Sequence, residues 1–127
     1  MKKLTAAFAL VAVSLLPVRA IAQATHDHPA DSPKAMIIVG QQLVVGTTIL
    51  KPGEYKFQCR FFDGKSFLVV TYADSGKEIV RVPCVREILD SKVTNSEIRT
   101  FILEDGKRVL VSVRIQGESV AHKVAVD

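Results

Sequence analysis

From Met36 onward, short apolar runs are cut by turn residues roughly every ten positions, the spacing of an all-β sandwich or small barrel. Met36 to Val39, Gln42 to Val45 and Thr47 to Leu50 read as short pieces of strand, broken at Gly40 and Gly46. Pro52-Gly53 predicts a type II turn, proline setting φ at the second position and glycine accepting φ > 0 at the third. Glu54 to Phe62 alternates, with Tyr55, Phe57, Cys59 and Phe61 on one face and Glu54, Lys56, Gln58 and Arg60 on the other. Asp63-Gly64 predicts a hairpin. Phe67 to Tyr72 is apolar enough to be covered on both faces, and Asp74-Ser75-Gly76 turns the chain again.

In Lys77 to Val85, Val80, Val82 and Cys84 share a face. Pro83 has no N–H to give a ladder, which predicts an edge strand or a bulge, with Arg81 and Arg86 guarding that edge. Ile88 to Asn95 is the one stretch that suggests a helical turn. Glu97 to Leu103, the turn Glu104-Asp105-Gly106 and Lys107 to Ile115 form the clearest hairpin, with Val109, Val111, Val113 and Ile115 expected in the core. A last strand runs from Ser119 to Val126. The expectation is an antiparallel β-sandwich or small barrel of seven to eight short strands, with sequential strands mostly paired and no βαβ unit.

The first residues change where such a domain would work. Lys2 and Lys3 precede the uncharged run Leu4 to Leu16, and Ala20-Ile21-Ala22 is a small-x-small cleavage site. These are the three parts of a signal peptide, residues 1–22; Ala22-Gln23-Ala24 offers a second site two residues on. The apolar run is shorter than the ~20 residues that cross a bilayer, so no membrane span is expected after cleavage. Residues 23–35 are polar, with two prolines, and read as a flexible leader. Residues 36–127 make a single β domain, periplasmic or secreted.

Charge then loses its apparent meaning. The whole chain carries 17 Lys+Arg against 13 Asp+Glu, but three of the basic residues lie in the signal. Without a clustered basic face, nucleic acid is excluded as a partner. Polar outward faces also exclude an outer-membrane barrel.

Candidate chemistry is sparse. Cys59 and Cys84 fall on inward faces, and an oxidising compartment predicts a disulfide between them, the rival being two buried thiols. His26 and His28 flank Asp27 in the leader and are weak metal candidates, since neither takes the third position that an amino-terminal copper or nickel site needs. His122 interrupts an apolar alternation and is expected as a half-buried imidazole bonded to backbone. No nucleophile elbow, carboxylate pair, phosphate-cradling glycine order or cofactor fingerprint is present. Most aromatic residues read as core, with Phe62, beside the turn, the most exposed.

The segment Gly46 to Phe57, G-T-T-I-L-K-P-G-E-Y-K-F, with V-P-C at Val82 to Cys84, resembles a group of small uncharacterised exported β-domain proteins of soil-dwelling bacteria. In these an L-x-P-G-x-Y segment opens a central strand. The resemblance implies the fold and an exported location, and supplies no activity and no functional residues. The expected function is that of an exported non-enzymatic module binding an unknown protein or envelope component. A carrier of a small apolar ligand inside a barrel, or an enzyme of unrecognised type, are the alternatives; the carrier requires an internal pocket of several hundred Å3.

Overall fold

The computed structural model describes residues 30–125. The expected signal peptide and His26 and His28 lie outside the described residues. Among those described there is no helix, and nine strands follow in order: β1 (Ala35–Val39), β2 (Leu43–Val45), β3 (Thr48–Leu50), β4 (Gly53–Phe62), β5 (Lys65–Tyr72), β6 (Glu78–Ile88), β7 (Glu97–Ile102), β8 (Arg108–Arg114) and β9 (Val120–Val124). The all-β expectation holds. The count exceeds eight because the segment before Pro52 makes three separate short strands.

The strands form one continuous mixed sheet, β1-β4-β5-β6-β9-β8-β2-β3, with β7 on the other side of β8. All pairs are antiparallel except β2 with β8, which meet in parallel at Val44 and Val109. The hairpins β4-β5 and β7-β8 are those the turn residues predict. Asp63 and Gly64 both have positive φ, the type I′ geometry that follows right-handed strand twist. Gly53 does not have positive φ. It opens β4 directly, so the type II turn expected at Pro52-Gly53 is not formed. Tyr55 holds the corner instead, its hydroxyl donating to the Lys51 carbonyl at 2.5 Å. The tyrosine of the L-x-P-G-x-Y segment thus has a structural task.

β6 is the strand that turns the sheet back on itself. Its first part pairs with β5 up to Pro83, and from Cys84 onward it pairs with β9. Pro83 therefore sits where one neighbour ends and the next begins, so its missing N–H costs no ladder bond there, and its carbonyl accepts the Ala125 N–H. In the strand order β6 lies between β5 and β9, but among the described residues each half is paired on one side only, Arg81 opposite Val69 and Arg86 opposite His122, so the expected edge is present locally on either side of Pro83 and no bulge falls there. The segment expected to hold a helical turn is an irregular loop, tied to the strand ends by Leu89 N–H to Ser119 O and Val93 N–H to Glu118 O.

Inward residues from most of the strands share one core, including Ile37, Leu43, Val45, Phe57, Leu68, Val70, Val82, Leu110, Val113 and Ile115. The β2-β3 turn reaches across it. Gly46, at φ +63, lies so close to β6 that a Cβ there would stand 2.8 Å from Val82 Cγ1. β5 is covered on both faces as expected, with Leu68, Val69 and Val70 all buried. In β8 the alternation breaks. Arg99 pairs with Ser112 but Thr100 with Leu110, leaving Val111 as a bulge. Leu110 and Val113 are buried while Val111 is exposed and Val109 half-buried, so the expected core set is corrected at Val109 and Val111.

Candidate functional site

Alternation along β4 and β6 points both cysteines inward, and the coil of the sheet brings them together: Cys59 and Cys84 are 1% and 6% exposed. Their sulfurs are 3.7 Å apart and both are free thiols. The predicted contact is present, with the two sulfurs touching and unbonded at a separation longer than the roughly 2.05 Å of a disulfide.

Ser66, on β5, sits beside the pair. Its hydroxyl donates to the Cys84 carbonyl at 2.6 Å and lies 3.5 Å from Cys84 Sγ. The two thiols are not equivalent. A hydrogen bond from Cys59 favours the Cys84 thiolate and, against the opposing effect of burial, lowers its pKa to about 7, with Ser66 assisting. Cys59 is pushed up by the same shared proton first and by burial second. The hydrogen bond with Cys59 is the larger support of that thiolate and Ser66 the smaller.

His122 is 1% exposed on β9, more deeply buried than its pattern predicts. Its partner is a side chain: Nε2 lies 2.7 Å from Glu118 Oε1, and Nδ1 has no hydrogen-bond partner among the described residues. Neither ring nitrogen therefore contacts a thiol, and the cysteine–histidine bond that would make a nucleophile is not formed. No group of three or more His, Cys, Asp or Glu is placed to hold a metal among the described residues.

Phe62 folds over the outer face of β4, β5 and β6. The guanidinium of Arg81 lies 3.9 Å and that of Arg60 4.9 Å from its ring centre, and Phe67 packs edge-on at 5.8 Å. It is half-buried, less exposed than expected beside a turn. Asp31 and Ser32, inside the expected leader, are tied to β4. Ser32 N–H donates to Cys59 O, Cys59 N–H to Ser32 Oγ, and Asp31 accepts from Phe61 N–H and Arg60.

Two features escape the sequence pattern. Register places Ile49, Val44, Val109 and Phe101 side by side across β3, β2, β8 and β7, and directly paired residues share a face. This row looks outward: Ile49 is 54% and Phe101 61% exposed, and Val111 and Leu103 add to the exposed apolar surface. The second is an unclosed seam. Among the described residues β1 pairs only with β4, and β7 only with β8, yet residues of both line one cleft of 230 Å3, with Ile38 and Val39 on one side and Ile98 and Thr100 on the other. The sheet curls until its two edges flank a gap. The larger clefts, up to 490 Å3, are lined by surface loops such as residues 89–95, unlike the internal pocket a carrier would need.

No protein-family description, curated protein or solved structure matches this chain.

Proposed function

We propose that the chain is an exported, non-enzymatic β module that binds a protein or another envelope component outside the cytoplasm. The observation that carries this reading is the Ile49–Val44–Val109–Phe101 row, apolar and partly in water across four neighbouring strands. Contiguous exposed apolar surface of this kind serves contact, since it contributes nothing to the folded monomer. The charged start, apolar run and cleavage site of residues 1–22, and the resemblance at the L-x-P-G-x-Y segment, support export to the periplasm or beyond.

Export would also decide the state of the thiols. The Cys84 thiolate attacks a disulfide supplied by an oxidising partner, and Cys59 then displaces the resulting mixed disulfide. The partner leaves as a dithiol and Cys59–Cys84 is joined. Loop closure is worth up to ~3.5 kcal/mol, less the strain of closing. An intact mass lower than the dithiol by two hydrogens is the expected result for exported protein.

The binding function is tested by placing a photoreactive amino acid at position 101 in the native host, and at the turn residue Asp74 as control. A discrete crosslinked adduct at 101 and none at 74 is expected; no adduct at 101 above the control would defeat the reading.

A further inference from the structure

We propose that the free edge of β1 takes up an extended peptide segment of another protein as an added strand, in the seam between β1 and β7. This rests on the binding function above and names the chemistry of the partner. An open edge presents alternating backbone donors and acceptors, and only an extended polypeptide matches them residue for residue.

The outer edges of this sheet are not alike. β7 is defended: it carries Glu97 and Arg99 as an ion pair and faces a bulged strand, both devices that discourage pairing with another chain. β3 is only three residues long. β1 reads Ala-Met-Ile-Ile-Val, with no charge, proline or bulge, and its outward side chains Met36 and Ile38 stand 51% and 75% exposed. Such an edge is avoided in proteins that must remain unpaired; here it survives beside a cleft.

The cleft sets the side-chain rule. A strand added to β1 sends alternate residues into a space lined by Val39, Leu43 and Ile98, which fits apolar side chains at every second position. Arg108 stands in the same lining. Its guanidinium donates to two neutral groups, Gln41 Oε1 and Thr100 Oγ1, each at 3.1 Å, and among the described residues it forms no ion pair. The geometry therefore points to a segment with apolar residues at alternate positions and one carboxylate beside Arg108.

The test selects binders from a displayed library of random twelve-residue peptides, then measures amide hydrogen exchange of the purified protein with the enriched peptide made synthetically. Enriched sequences should alternate apolar residues around an acid, and the peptide should slow exchange in residues 35–39. Ile38→Lys, at an exposed position that leaves the core intact, should weaken binding at least tenfold, and Arg108→Glu should remove the preference for an acid. Failure to enrich any peptide, or protection falling outside β1, would overturn the proposal. So would dimerisation of the protein through β1 that the peptide does not displace, because the occupant is then a second copy. An adduct at position 101 without β1 protection would sink this proposal alone; no adduct at 101 would sink the binding function on which it rests.

Discussion

The sheet is continuous on one side of the molecule and interrupted on the other. At β6, a single eleven-residue strand serves two neighbours in turn, and the residues beneath it, Val82, Cys84, Cys59 and His122, are all buried. At the seam, β1 and β7 flank a cleft without pairing, and Ile38 and Phe101 stand in solvent. Both sides are rich in apolar residues. What separates them is whether a strand lies across the gap, so the same side-chain chemistry stabilises the fold on one side and is free to meet a partner on the other.

The sharpest contrast should come from truncating the closed side. Phe57, central on β4 and fully buried, faces the shared core. Phe57→Ala removes its packing and leaves a cavity, for an expected loss of ~3–5 kcal/mol in urea denaturation. A loss below about 1 kcal/mol would mean that the core can collapse around the missing ring, and that the closed side is looser than its burial implies.

Gly46 probes the bridge that the β2-β3 turn throws across the core. Gly46→Ala places a side chain in the left-handed region, costing ~1–2 kcal/mol, and drives a methyl against Val82 Cγ1 at 2.8 Å. Val82 is β-branched and stiff, so it has little freedom to yield. The expected result is destabilisation of at least the conformational cost, measured in the same urea experiment, together with altered hydrogen exchange in β6. An unaffected β6 would show that the turn does not brace it.

The parts legible in the sequence are those that local chemistry decides. The alternation from Tyr55 to Phe61 and the Asp63-Gly64 and Asp105-Gly106 turns depend on neighbours a few residues away, and the structure follows them. Val109 and Val111 depart from simple alternation because one bulge shifts the inward parity of β8, and nothing in a run of valines marks where that extra residue falls. Pro83 was consistent with an edge; its actual place, at the handover from β5 to β9, is set by β9, some forty residues further on. The exposed row and the seam were invisible for the same reason. Val44 meets Val109 only through the long-range parallel pairing of β2 with β8, and no pattern within Ala35–Val39 says which strand will lie beside it. The cysteine contact was readable from inward alternation, but the distance was not, since it depends on how tightly the sheet coils.

The smallest effect on stability is the one that matters most for function. Ile38→Ser and Phe101→Ser each remove an apolar side chain that already faces water, so unfolding free energy should change by no more than about 0.5 kcal/mol. If the open side exists for contact, these two changes should leave the denaturation midpoint in place while Ile38→Ser reduces peptide capture and Phe101→Ser reduces the adducts formed by a photoreactive residue placed at Ile49 in the same row. Destabilisation comparable to Phe57→Ala would instead show that these side chains support the fold, and the distinction between the closed and open sides would collapse. The pairing of an undisturbed midpoint with lost binding is what separates a contact surface from an imperfectly covered core.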